Sequence, residues 1–147
     1  AVPVLYQKDG GWEVGKGRIL RDGSDAAILA TGYMVHKALE AADMLEQSGI
    51  SIRVADIHTI QPIDRSLILD CIQKCGCLLT VEEHSITGGL GSIVTEIVSS
   101  ESPVLVERMG LCDYSESGDY EQLLEKAHLD AASIAARVIQ LIKKKNL

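Results

Sequence analysis

With 147 residues, 46% of them hydrophobic and 24% charged, the chain has the length for one compact domain, is short for two, and is too apolar to be disordered. A net charge of −7 repels phosphate backbones and anionic headgroups, which sets nucleic acid and membrane surfaces aside as partners. With no Phe, one Trp and four Tyr, the core has to be built from Ile, Leu, Val and Ala.

The first 25 residues differ from the rest. Pro3, Gly10-Gly11, Gly15, Gly17 and Gly23 interrupt short segments such as Val2–Gln7 and Trp12–Gly15, with a turn at Asp9-Gly10-Gly11. Residues 1–25 therefore read as a linker or lead-in arm from something preceding, and 26–147 as the folded domain. From Asp25 the pattern changes to strand and helix in alternation. Ala26–Ala30 is a continuous apolar run, the mark of a strand buried on both faces. Val35, Ala38, Leu39, Ala42 and Leu45 share one face of a helix over Val35–Gln47 that Gly49 is placed to end. Ser51–Ile57 is the second strand, and Asp64 caps the helix after Pro62.

Cys77–Val81 is the third strand, expected to stop at Glu82-Glu83-His84. Gly88-Gly89-Leu90-Gly91-Ser92 then opens a helix through Ile93, Ile97 and Val98. A fourth strand begins at Pro103–Val106 and ends near Met109-Gly110. The polar loop Asp113–Gly118 leads to a short helix near Tyr120–Ala127, and Asp130 caps the last helix, whose face carries Ile134, Val138, Leu141 and Ile142. Such alternation predicts an α/β fold: a three-layer α/β/α sandwich around a mostly parallel, mixed sheet of about five strands. Cys71, Cys75 and Cys77 match no zinc or disulfide spacing and read as small core residues. With Cys112 they predict four free thiols in a reducing, cytoplasmic setting. Lys143-Lys144-Lys145 completes the last helical turn and favours its dipole. No apolar stretch approaches the roughly 18 residues of a membrane span, and no signal-peptide pattern heads the chain.

Chemistry is expected at the carboxyl ends of the strands, where open α/β sheets bind ligands. Three such places stand out: Thr31-Gly32, Glu82-Glu83-His84, and the loop Asp113–Gly118. The Gly88, Gly89, Gly91, Ser92 turn could aim backbone amides at a small anion, but Val94 breaks the dinucleotide fingerprint and no P-loop lysine follows. The stronger reading is glycines that allow a tight loop and close packing. Adjacent Glu82 and Glu83 point to opposite faces of a strand and form no acid–base pair; with His84 they read as a polar cluster or an interface. His84 as a general acid–base would need a nucleophile that the sequence does not display. His36, His58 and His128 show no metal-ligand spacing.

Together the motifs resemble one family. Gly15-Lys16-Gly17-Arg18-Ile19-Leu20-Arg21-Asp22-Gly23-Ser24-Asp25, then Ala30-Thr31-Gly32-Tyr33-Met34-Val35, resembles the opening of the C-terminal domain of transketolases. Thr59-Ile60-Gln61-Pro62-Ile63-Asp64 is similar to that family's second strand-to-helix junction. Val81-Glu82-Glu83-His84 with Gly88-Gly89-Leu90-Gly91-Ser92 resembles its most diagnostic stretch. Glu116-Ser117-Gly118 with Leu123-Leu124 resembles the segment before its final helix, while Cys112-Asp113-Tyr114-Ser115 departs from the usual Phe and Gly. His84 favours transketolase or 1-deoxyxylulose-5-phosphate synthase over the beta subunits of 2-oxoacid dehydrogenases. Glu116-Ser117-Gly118 favours transketolase, especially the type encoded as separate N- and C-terminal chains.

The resemblance implies a whole enzyme of pentose phosphate metabolism that moves a two-carbon ketol unit between sugar phosphates. Its thiamine diphosphate and divalent metal (Mg or Ca) would lie between a pyrophosphate-binding and a pyrimidine-binding domain. This chain would be the third domain, assembling with those domains in a homodimer and carrying no catalytic, cofactor or metal residue. Glu82, Glu83, His84, Gly88, Gly89, Gly91 and Ser92 are its candidates for interface or anion contact.

Overall fold

A computed structural model describes residues 4–6, 11–112 and 117–147. Most of the loop Asp113–Gly118 and most of the turn at Asp9-Gly10-Gly11 lie outside the described residues, as does Glu116 of the Glu116-Ser117-Gly118 motif. Five strands, β1 (Arg18–Arg21), β2 (Ala26–Ala30), β3 (Ile52–Asp56), β4 (Cys77–Ser85) and β5 (Leu105–Leu111), form one sheet in the order β1-β3-β2-β4-β5. Pairing is parallel except at β1, which runs antiparallel along β3. Five helices surround it: α1 (Met34–Glu46), α2 (Arg65–Cys75), α3 (Leu90–Glu101), α4 (Tyr120–Lys126) and α5 (Ala131–Lys145). The expected three-layer sandwich is what forms.

The central strand shows why. All five residues of β2 are buried, and the pleat sends alternate side chains to opposite faces. Ala26, Ile28 and Ala30 meet the cluster built by α1, α4 and α5, while Ala27 and Leu29 meet the one built by α2 and α3. Small alanines on β2 let α1 lie close, with its own Ala38, Ala41 and Ala42 buried. The Phe-free core is thus two aliphatic layers separated by one sheet. Among the described residues its one buried cation is Arg53 on β3, 4% exposed and tied to Asp22 and Asp70.

Three features differ from the sequence reading. The lead-in arm contributes a strand, because Ile19 pairs with Ala55 and Arg18 with Asp56. β4 does not stop at the glutamates but runs through them to Ser85, with its register against β5 slipping between Val81 and Ser85. The terminal lysines do more than favour their own helix dipole. Lys144 pairs with Glu107, and Lys145 Nζ donates to the carbonyls of Asp25 (2.7 Å) and Cys75 (3.1 Å), the latter closing α2. Beside it Gly76 takes the left-handed conformation, φ 69°, that ends α2. All four cysteines are free, and burial pushes the Cys75 thiol up to about 12. No helix among the described residues is long and apolar enough to cross a membrane.

Both expected caps form. Asp64 accepts from the Leu67 amide at 3.1 Å and the Ser66 hydroxyl at 2.8 Å, and Asp130 accepts from the amide and hydroxyl of Ser133. Asp64 also accepts from the Gly17 amide at 3.0 Å, which pins the approach to β1. Burial alone would raise the Asp64 carboxyl, but the bonds from Ser66, Leu67 and Gly17 outweigh it and hold it below its ordinary value. A carboxyl lowered in the folded state contributes stability above its unfolded pKa and loses it as pH falls through the folded one. Asp64→Ala is therefore expected to cost about 1–2 kcal/mol at pH 7, with the difference shrinking below about pH 4. Urea denaturation at several pH values measures it.

Candidate functional site

The chain order defines one crevice. It leaves β2 through α1 on one face to β3, then returns through α2 on the other face to β4, on the far side of β2. Strand order reverses at β2, so the switch point lies where Thr31-Gly32 ends β2 and Glu82-Glu83-His84 ends β4. This is where the sequence motifs converge.

At the β4 end the pleat separates the two carboxylates. Glu82, 2% exposed, turns towards the α2/α3 layer and accepts from the amides of Leu90 (2.8 Å) and Gly91 (2.9 Å). Those are two of the N–H groups that the first turn of α3 leaves without helical partners, and a negative charge there favours the helix dipole. The fit demands glycines: a methyl group on Gly89 would overlap the Glu82 carboxylate, and one on Gly110 would press on Glu82 Cγ at 3.2 Å. Gly91 lets α3 approach β4 and β5, since a methyl there would fall 2.8 Å from both Thr80 Oγ1 and Arg108 Cδ. The turn is closed by Gly88, whose amide donates to Ser92 Oγ at 2.9 Å.

These positions divide the expected site. Glu82 and Gly91 are buried and Gly89 packs on the carboxylate, so the three form an internal anion contact: the anion facing the α3 amides is the chain's own. His84 and Gly88 are exposed, whereas Glu83 and Ser92 are half-buried. The exposed His84 ring has no hydrogen-bond partner among the described residues, so nothing orients it as a base.

Glu83 turns the other way. It accepts from the Tyr120 hydroxyl of α4, and Gly32, at φ 60°, sits so close that a side chain there would meet Glu83 Oε1 at 3.4 Å. Tyr33 packs edge-on against Tyr120 with ring centres 4.8 Å apart, and its hydroxyl donates to Glu121 at 2.6 Å. Lys37 bridges Glu121 (3.1 Å) and Glu40 (3.2 Å). Burial and the Glu83 bond both push the Tyr120 hydroxyl up, keeping it a donor. The Tyr33 bond, then Lys37, holds the Glu121 carboxyl below its ordinary value. The Tyr33 and Tyr120 hydroxyls and the Glu83 and Glu121 carboxylates are each matched to a neighbour, so the network joins α1, α4 and β4. Sequence reasoning missed Tyr33 and Tyr120 as partners. They lie 87 positions apart in the chain, and only the fold brings them together.

A second group lies at the end of β3. Asp56, 4% exposed, accepts from the Tyr6 hydroxyl, and the Trp12 ring stands edge-on to both Tyr6 (4.5 Å) and His58 (4.7 Å). The Arg18 guanidinium lies 5.3 Å from the Tyr6 ring centre and 5.2 Å from that of Trp12. A charged residue at a strand end was its only sequence signal.

A three-layer α/β domain with a switch-point crevice filled by its own side chains is the class that fold and site define. The family described as transketolase, C-terminal domain, matches residues 15–134, and the chain belongs to it. The chain is 38% identical over 146 residues to an apulose-4-phosphate transketolase subunit from Phocaeicola vulgatus, spanning 98% of this chain and 46% of that protein. It is 41% identical over 131 residues to the 1-deoxy-D-xylulose-5-phosphate synthase of Thermomicrobium roseum, spanning 88% of this chain and 21% of that one. Among solved structures, a split-gene transketolase described as an inactive beta4 tetramer superposes with a TM-score of 0.95 at 42% identity, covering 98% of this chain and 48% of its own. The chain thus spans less than half the length of each of these relatives.

The glycine turn does not fit a diphosphate. The amides that would cradle a diphosphate are taken by Glu82, and no group of three or more His, Cys, Asp or Glu among the described residues could hold a metal ion. If the Glu82 contact is what seats α3, Glu82→Ala should cost about 2–3 kcal/mol, and Gly89→Ala should cost on the order of 2 kcal/mol through the clash. Because the alanine methyl clashes only with Glu82, the double variant should fall well short of the sum. Additive losses in chemical denaturation would show that the two positions act independently.

Proposed function

We propose that the chain is the C-terminal assembly domain of a transketolase, which as a whole transfers a two-carbon ketol unit between sugar phosphates in the cytoplasm. The supporting observation is the switch-point crevice. Where a doubly wound domain would hold a ligand, Glu82 fills the helix amides and Glu83 bonds Tyr120. A strand end committed to holding its own helical layers suits a domain that supports an active site built elsewhere. Thiamine diphosphate and its divalent metal would be held by pyrophosphate-binding and pyrimidine-binding parts of the same enzyme. His84 and Gly88, exposed at the crevice, with the half-buried Ser92, are the positions offered to those parts or to a second copy in a homodimer.

Transketolase is favoured over the synthase because the Phocaeicola vulgatus transketolase aligns over 98% of this chain and the synthase over 88%. Isothermal titration of the chain with thiamine diphosphate and Mg is expected to give no binding heat, and a coupled assay no ketol transfer to ribose 5-phosphate. Micromolar cofactor binding by these 147 residues would overturn the reading.

A further inference from the structure

The cluster at the end of β3 combines two opposed features. From outside, the contacts are favourable: Tyr6 donates to Asp56 Oδ2, Trp12 packs between Tyr6 and His58, Arg18 covers both rings, and His58 Nε2 lies 3.2 Å from the Glu13 carbonyl. From inside, two polar atoms pay for that closure. Asp56 Oδ1 and His58 Nδ1 are buried with no hydrogen-bond partner. A buried, unpartnered carboxylate oxygen is costly, and water would satisfy it as soon as the aromatic cover lifted. The cover is also lightly held on its outer side, where Trp12 is 51% and Val14 77% exposed. β1 beneath it is a four-residue edge strand with a register slip between Ile19 and Arg21.

We infer that the side chains of Tyr6, Trp12 and Arg18 form a latch over Asp56 and His58 that opens and closes while strands β2 to β5 stay paired. In the closed state the latch gains ring packing and the Tyr6–Asp56 bond. In the open state Asp56 and His58 gain water. Local opening of this kind is expected where few apolar contacts oppose it and backbone hydrogen bonds are at an edge. The latch controls access of water to Asp56 and His58, a conformational role independent of the proposed transketolase reading. Asp56 is faced by Tyr6, Arg18 and His58, so closure places its carboxylate beside one hydroxyl donor and two basic groups.

Trp12 is the chain's single tryptophan and reports on the latch directly. In a urea titration of the unsubstituted chain, acrylamide quenching of Trp12 is expected to rise at lower urea than the far-UV circular dichroism is lost. Coincident transitions would overturn the inference. Tyr6→Phe removes the donor and leaves the Asp56 carboxylate buried without any, so its quenching constant is expected to rise about twofold in native buffer with secondary structure retained. Adding Asp56→Leu removes the buried carboxylate that has lost its donor and is expected to return the quenching towards that of the unsubstituted chain. A Tyr6→Phe chain whose quenching matches the unsubstituted one would also overturn it, as would a double variant no better covered than the single.

Discussion

The Glu82 carboxylate bound to the Leu90 and Gly91 amides is the contact on which the crevice end of the sheet depends. Helix α3 starts against β4 with unpaired amides, and a buried amide without an acceptor is a liability on the scale of a lost hydrogen bond. Glu82 removes that liability and its own at once. The burial of a carboxylate is tolerable only because two donors and a helix N-terminus converge on it. Much of the local sequence follows from this contact. Gly89 and Gly110 leave the space for the side chain, Gly91 lets the helix approach Thr80 and Arg108, and Gly88 with Ser92 closes the loop.

Glu83 completes the arrangement by symmetry of the pleat. Two neighbouring residues on one strand serve opposite layers: Glu82 holds α3, and Glu83 holds α4 through Tyr120. Because Tyr33, just before α1, and Lys37 of α1 meet Tyr120 and Glu121 of α4, the second layer is tied across its own surface as well. The irregular register between Val81 and Ser85 marks the place where β4 gives up regular pairing to aim these side chains. A strand end specialised in this way resembles a catalytic one in sequence, since both concentrate carboxylates, histidine and glycine. What separates them is whether the groups are satisfied by one another.

The sheet's buried strands, the helical faces, the Asp64 and Asp130 caps and the core cysteines were legible because each rests on local periodicity or a few adjacent residues. β1 was not. Arg18–Arg21 is short and charged, and only pairing with β3 some thirty-five positions away makes it a strand. The length of β4 was also hidden, because charged residues after an apolar run look like a strand's end when they are its last, re-aimed residues. At the candidate site, the opposite orientation of Glu82 and Glu83 followed from the pleat. The identity of the anion at the glycine turn did not, for a sequence shows that a cradle exists without showing that a carboxylate eight residues earlier already fills it. Asp56 and His58 stayed invisible for a further reason: their partners Tyr6 and Trp12 lie in the arm, which composition alone presents as linker.

The two strand ends therefore stand in contrast, and the contrast locates freedom in the molecule. At β4 each carboxylate meets donors that the layers must supply for the fold to close, and opening that end would uncover helix amides along with aliphatic core. At β3 the carboxylate is held by a single hydroxyl from the arm, with its other oxygen and the neighbouring His58 nitrogen unanswered. Separating this arm exposes rings that are already partly in water and relieves two polar atoms that are not. A domain built on these terms keeps its α3 seat while the aromatic cover at β3 opens, because both β4 carboxylates meet donors and Asp56 Oδ1 and His58 Nδ1 meet none.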